Sequence, residues 1–106
     1  MLAVIGGTGL TQLSDLEVSR REVVRTPFGD PSGALMFGRV GNQDLVFLAR
    51  HGYGHTIPPH RVNYRANIWA LANAAGAEDI VSVASVGSIR SDLPPGSVVV
   101  PDQIID

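Results

Sequence analysis

The sequence predicts an α/β fold, in which a largely buried sheet is covered by helices. The first indication is residues 44–49, a nearly continuous apolar strand that must be buried on both faces. The second is the order of strand, turn, helix and strand along the second half of the chain. Because such a sheet needs helices on both faces and only one convincing helix is present, we expect the 106 residues to be the first part of a larger domain.

The beginning of the chain is built from short strands. The apolar run 2–5 predicts a buried strand, and the glycine-rich turn 6–9 follows it at once. The leucines of segment 10–16 support at most a turn or two of helix. Residues 17–24 alternate as in a strand, and we expect them to pair with 34–37 across a stretch of turn formers.

A hairpin and a polar loop come next. Strands 35–40 and 44–49 are joined by the tight reversal Gly41-Asn42. The loop 50–59 that follows is rich in polar and ring-bearing residues.

The one predicted helix spans 60–75 and ends at Gly76, a residue that favours helix termination. Apolar residues at helical spacing predict its buried stripe, and we expect Trp69 to belong to the core rather than to a purine-stacking surface. The stripe consists of Tyr64, Ile68, Leu71 and Ala75. A buried strand at 79–84 and a last strand at 98–100 complete the prediction.

The composition excludes several classes of protein. A formal net charge of −2 and a pI near 5.8 give no reason to expect nucleic acid or an anionic membrane as a partner. All eight basic residues are arginine, which excludes Schiff-base chemistry and a lysine-bearing phosphate loop from this segment. The absence of cysteine excludes disulfides, thiol nucleophiles and cysteine-based metal centres. The sequence shows neither a signal peptide nor a membrane span, so we expect a cytoplasmic protein.

The turn Gly6–Gly9 indicates an anion site. Backbone N–H groups of successive glycines can point at one centre, and Thr8 adds a hydroxyl. A dinucleotide-binding fold is the obvious alternative, but its third glycine would fall on Gln12 and its long helix has no counterpart here. A plain tight turn without a ligand is the other alternative.

Three loops follow the carboxyl ends of predicted strands, at 6–9, 50–55 and 85–88. Ligands bind at that edge of open α/β sheets, so we expect the loops to converge. Their N–H groups, hydroxyls, imidazoles and guanidinium are donors that suit an oxyanion. Arg50 has an equally good structural explanation, an ion pair with one of three carboxylates. These are Asp44, Asp102 and Asp106.

The same residues give little support to metal binding or covalent catalysis. His51, His55 and His60 are four and five residues apart on a proline-bearing loop without clustered carboxylates, so we predict no metal site. Ser85 and Ser88 lack the G-x-S-x-G arrangement of a nucleophile elbow.

Six motifs follow one another along the chain. They are GGTGL at 6–10, TPFGDPS at 26–32, RHGYGHTIPP at 50–59, VNYRANIWAL at 62–71, GSIR at 87–90 and PGSVVVPDQ at 95–103. In this order and spacing the chain closely resembles the S-methyl-5′-thioadenosine phosphorylases, within the purine nucleoside phosphorylase superfamily. The resemblance covers essentially all of residues 1–106 and corresponds to the N-terminal part of a single phosphorylase domain.

This resemblance implies a distorted mixed sheet flanked by helices, assembled as a homotrimer. It implies phosphorolysis, in which inorganic phosphate attacks C1′ of a nucleoside and the purine base leaves. The phosphate-binding positions of the family match Thr8, Arg50, His51, Ala84 and Ser85. Phosphate is a co-substrate, and no catalytic nucleophile, metal or cofactor is implied, since positioning and charge stabilisation by fixed donors suffice.

The sequence departs from the family pattern in places that leave the substrate open. Tyr53-Gly54 stands where bulkier polar residues are typical, and Ala84 and Val86 stand where threonine and cysteine are typical. The related S-methyl-5′-thioinosine phosphorylases share this style of loop. The groups that distinguish purines lie in the family's C-terminal half, so the substrate is S-methyl-5′-thioadenosine, S-methyl-5′-thioinosine or another purine nucleoside. A non-catalytic phosphate- or nucleotide-binding module is an alternative of another class, and an inactive isolated segment is a third.

Overall fold

The computed structural model describes residues 1–10 and 13–105. Its strands are β1 (Leu2–Gly6), β2 (Glu17–Glu22), β3 (Leu35–Val40), β4 (Gln43–Ala49) and β5 (Asp79–Ser82). They form one sheet in the order β2-β3-β4-β1-β5. The pairs β2–β3 and β3–β4 are antiparallel, whereas β1 runs parallel to both β4 and β5. The mixed sheet implied by the family resemblance is therefore confirmed.

The helical layer is a short 3₁₀ turn at Pro59–Arg61, followed by helix α1 (Tyr64–Trp69), which continues into a π-helical turn at Ala70–Ala74. The helix begins four residues later than the sequence predicts. The side chain of Asn63 accepts a hydrogen bond from Ala66 N at 3.1 Å and so caps the first turn. The helix ends as predicted, before Gly76, whose φ is +69°.

Strand β4 lies at the centre of two apolar layers, as its sequence predicts. On one face Val46 and Leu48 pack in the cluster that contains Leu71 of the helical layer. On the other face Leu45 and Phe47 pack against Leu16. Burial of one such side chain stabilises the fold by about 1.5–3 kcal/mol, so both layers hold the sheet together.

The predicted helix stripe is only partly correct. Leu71 is fully buried and Ala75 is partly buried, but Tyr64 and Ile68 are 53% and 46% exposed. The buried side of α1 instead runs through Ala66 and Asn67. Trp69 packs at the margin of the core, in agreement with the prediction.

The predicted strand at 98–100 is wrong. Residues 83–105 contain no strand, and Val98, Val99 and Val100 are all exposed. A strand needs a neighbouring backbone to bond with, and in this part of the chain the pairing is local, as in the turn where Ser97 N donates to Pro94 O at 3.1 Å.

The helical turn expected within 10–16 includes residues 11–12, which lie outside the described residues, while Leu16 N closes a turn on Leu13 O at 3.1 Å. None of the helices in residues 1–10 and 13–105 has the length and apolar character that crossing a lipid bilayer requires.

Candidate anion-binding site

The carboxyl ends of β1, β4 and β5 lie side by side because the three strands are parallel. Gly6 is in register with Ala49, and Ile5 with Ser82. Beyond the strands, Arg50 N donates to Gly6 O at 2.8 Å and Val83 N donates to Ile5 O at 2.9 Å. The loops that follow these strands therefore leave the sheet from one edge, as expected from the sequence.

A cleft of about 490 Å³ opens at this edge, between the strand ends and α1. Its polar side comes from the strand ends and its apolar side from the sheet and the helical layer. The lining residues are Ile5, Thr8, Arg50, His51, Pro59, Tyr64, Asn67, Ile68, Ile80, Ser82 and Ser85. Four of the five predicted phosphate-binding residues thus line one cavity. The exposed Ala84 does not, although its neighbour Ser85 does.

Arg50 lies across the end of β5, and it forms no ion pair with a carboxylate of residues 1–10 and 13–105. Its Nη1 donates to Ser82 Oγ at 3.3 Å and to Val83 O at 3.4 Å, both neutral acceptors. The alternative that Arg50 forms an ion pair with Asp44 is wrong, since Asp44 pairs with Arg39 at 3.4 Å.

The other two candidate partners of Arg50 do not change this result. Asp102 forms no ion pair within residues 1–10 and 13–105, and Asp106 lies outside the described residues. A guanidinium carries five N–H donors and a permanent charge, so Arg50 retains donors for an anion.

Gly7 allows the guanidinium to approach the backbone of the first loop. A Cβ at this position would overlap Arg50 Nη2 and would lie 2.8 Å from Val83 O. The absence of a side chain here, rather than a left-handed backbone, is therefore what the packing requires. The left-handed residue of this turn is Gly9, with φ +83°.

His51 is 8% exposed and is oriented by the backbone. Its Nδ1 lies 2.8 Å from Ile57 O, and a carbonyl oxygen can only accept, so Nδ1 carries a proton. The other nitrogen, Nε2, is then the one available to a ligand: it accepts in the neutral ring and donates in the protonated ring.

The first and third loops are joined by a hydroxyl. Ser85 Oγ donates to Thr8 O at 3.0 Å, which fixes the glycine turn against the end of β5. This contact also removes any pairing of Ser85 with a histidine as nucleophile and base. Ser88 lies apart from the cleft, and its Oγ donates to Arg90 O at 2.9 Å. The expected convergence of 85–88 is therefore correct for its first residue and wrong for Ser88.

The histidines do not form a metal centre among the described residues. No group of three or more His, Cys, Asp or Glu side chains close enough to share an ion occurs in 1–10 and 13–105. The rings of His51 and His55 meet edge to face with their centroids 5.3 Å apart, whereas His60 lies in the 3₁₀ turn.

Asn67 is the main residue that the sequence reasoning missed. It is 2% exposed; its Oδ1 accepts from Ser32 N at 2.8 Å and its Nδ2 donates to Ser32 Oγ at 3.0 Å. The sequence did contain a signal for this role, since Asn67 lies among apolar residues of the predicted helix. An amide that is buried there requires hydrogen-bond partners.

Tyr53, a departure from the family pattern, anchors the second loop outside the cleft. Its Oη donates to Ala34 O at 2.5 Å and lies 3.3 Å from Phe47 O. Burial raises the pKa of Tyr53 to about 12. Its hydroxyl is thus a structural donor at neutral pH.

Comparison with known proteins agrees with this geometry. The sequence pattern of the phosphorylase superfamily matches residues 1–106. The chain is 49% identical to the S-methyl-5′-thioadenosine phosphorylase of Hyperthermus butylicus, over 99% of this chain and 38% of that protein. It is also 49% identical to the probable S-methyl-5′-thioinosine phosphorylase of Pseudomonas syringae, over 98% of this chain and 42% of that protein.

The fold agrees as well. The methylthioadenosine phosphorylase of Schistosoma mansoni, solved in complex with adenine, superposes with a TM-score of 0.83 at 44% identity, over 90% of this chain and 34% of that chain. The described chain thus spans about two fifths of the length of the curated relatives it matches. The resemblance stated from the sequence motifs is confirmed: the chain belongs to the phosphorylase superfamily.

Proposed function

We propose that this chain supplies the phosphate-binding part of an enzyme that cleaves S-methyl-5′-thioadenosine with inorganic phosphate. The products are adenine and 5-methylthioribose 1-phosphate. The observation that carries the proposal is the position of Arg50, whose charge lies at the meeting point of three parallel strands against neutral acceptors. Relatives and solved structures with this activity in their names support the choice of reaction.

Each predicted site residue has a role in this proposal. Arg50 balances the charge of the phosphate, and Thr8 contributes a hydroxyl group. Ser85, whose hydroxyl hydrogen is donated to Thr8 O, contributes its backbone N–H. His51 presents Nε2, because its Nδ1 is engaged by Ile57 O. Ala84 contributes its backbone N–H, the only donor that an alanine possesses.

The chemistry needs an oriented anion more than it needs a nucleophilic side chain. A phosphate oxygen forms the bond to C1′ while the bond from C1′ to the purine nitrogen breaks and its electron pair leaves with the base. Positive charge develops on the sugar, and the phosphate held beside it stabilises that charge. Fixed donors around the phosphate therefore promote the reaction by positioning it. In this proposal phosphate is the co-substrate and no cofactor takes part.

S-methyl-5′-thioinosine is the second candidate substrate, because a relative with that name is as similar as the thioadenosine enzyme. A relative named 6-oxopurine nucleoside phosphorylase, from Pyrococcus furiosus, is 47% identical and extends the choice to other purine nucleosides. We further propose a homotrimer in the cytoplasm, as the family resemblance implies.

The test is phosphate-dependent release of purine base by the protein that carries this sequence. S-methyl-5′-thioadenosine, S-methyl-5′-thioinosine and inosine are each incubated with and without phosphate, and base is quantified by chromatography. Release of adenine only when phosphate is present supports the proposal, and a preference for thioinosine selects the second candidate. Thermal stabilisation by phosphate without release of any base would instead show a binding module.

A further inference from the structure

His55 has a backbone conformation that its side chain does not favour. Its φ is +53°, and every other residue with positive φ in 1–10 and 13–105 is glycine. Non-glycine residues adopt this region rarely, and they stay there only when the surroundings hold them. Here the loop is closed by His55 N donating to Gly52 O at 3.0 Å and by Ile57 N donating to His51 O at 2.9 Å.

Core packing does not explain the strain, because His55 is exposed. The conformation instead brings the imidazole next to Thr8 of the first loop and His51 of its own loop. The ring meets that of His51 edge to face, with centroids 5.3 Å apart and planes at 65°. The Nε2 atom of His55 also lies 3.5 Å from Oγ1 of Thr8, a residue 47 positions earlier in the sequence.

His55 thereby connects two residues of the candidate site that different strands carry. Thr8 follows β1 and His51 follows β4. Each has one freedom that matters for an anion: the rotation of the Thr8 hydroxyl and the tilt of the His51 ring. The backbone carbonyl of Ile57 fixes His51 Nδ1, and the His55 ring packs against the His51 ring and limits its tilt.

We propose that His55 is a positioning residue of the phosphate site, which holds the Thr8 hydroxyl and the His51 imidazole in the directions that meet the anion. This inference rests on the proposed function, because it assigns His55 a task at that same site. It also gives the strained backbone a reason: a relaxed φ would swing the ring away from both neighbours.

Three variants of the protein that carries this sequence distinguish the contribution of the His55 ring from that of its backbone conformation. His55→Gly keeps the left-handed conformation and removes the ring. His55→Gln returns an amide with a reach similar to that of Nε2. The control is His60→Gln, an exposed histidine of the 3₁₀ turn. For each, calorimetry gives the Kd of inorganic phosphate, and kinetics give kcat and the KM of both substrates.

We expect His55→Gly to weaken phosphate binding about tenfold, the effect of one hydrogen bond, and to leave the nucleoside KM unchanged. His55→Gln recovers part of the loss, and His60→Gln matches the parent protein. A phosphate Kd in His55→Gly equal to that of the parent overturns the inference while leaving the proposed function intact. An equal rise in both KM values with a lower melting temperature also overturns it, since the role would then be structural. A parent protein that does not bind phosphate overturns both proposals.

Discussion

Replacing Arg50 by glutamine removes a full charge from the cleft and keeps a polar side chain of similar reach. The guanidinium faces two neutral acceptors at 3.3 and 3.4 Å, both long for hydrogen bonds, so these contacts add little to stability. A hydrogen bond between charged groups contributes about 1.5–3 kcal/mol, which corresponds to a rise of roughly 10- to 150-fold in the phosphate KM. We therefore expect Arg50→Gln to lose phosphate affinity while its melting temperature hardly changes.

The assay is initial-rate kinetics with phosphate varied at saturating S-methyl-5′-thioadenosine, beside a thermal melt of each variant. Arg39→Gln is the matched control: Arg39 is an exposed arginine of β3 that lies outside the cleft and pairs with Asp44 at 3.4 Å, a surface contact that contributes about 1 kcal/mol or less. If Arg50→Gln keeps the phosphate KM of the parent, or if Arg39→Gln raises it by the same factor, then the charge of Arg50 does not hold the phosphate.

Three further changes test the geometry around this charge. Gly7→Ala places a methyl group where Arg50 Nη2 lies, so we expect a higher phosphate KM with an unchanged nucleoside KM. A phosphate KM equal to that of the parent would show that a methyl group at position 7 does not displace Arg50. Asn67→Ala leaves Ser32 N without its buried acceptor, so urea unfolding should show a loss of about 1–3 kcal/mol, against a negligible loss for the exposed Asn73→Ala. The pKa of Tyr53 is raised by burial from 10 to about 12, so the neutral phenol is favoured in the folded state. The neutral phenol therefore contributes fully to the free energy of unfolding below pH 10, and this contribution is lost as the pH rises towards 12. In Tyr53→Phe, denaturation curves should lack this loss between pH 10 and 12. The same loss in the variant would show that Tyr53 is not its source.

The elements that could be predicted from the sequence are those whose signals are local. The apolar run 44–49 required burial on both faces, and β4 has it. The hairpin at Gly41-Asn42 has its predicted strands, with Val40 in register with Gln43. The order of apolar strands followed by donor-rich loops was sufficient to predict that Thr8 and Arg50 line one cleft.

The features that the sequence did not reveal depend on partners far along the chain. The start of α1 was predicted too early because two signals for a helix start lie close together in the sequence. The prolines at 58 and 59 suit a helix entry, but the residue that caps α1 is Asn63. The buried role of Asn67 depends on Ser32, which is 35 positions away. The strand expected at 98–100 had the right composition, but composition cannot supply a neighbouring backbone. The left-handed His55 contacts Thr8, which is 47 positions away on another loop, and no local pattern encodes that contact.

The parallel pairing of β1 has a consequence for how the molecule is assembled. Of the five described strands β1 comes earliest in the sequence, yet it lies between β4 and β5, whose residues are synthesised roughly 40 and 75 positions later. The antiparallel β2–β3–β4 meander can form between segments that are near neighbours in the sequence. Strand β1 pairs only with strands that are far away in the sequence, and such long-range closure of the sheet slows folding. The donors of the cleft come together only when that closure is complete. An anion that binds there therefore stabilises only the completely folded molecule, and its binding free energy adds to the free energy of unfolding.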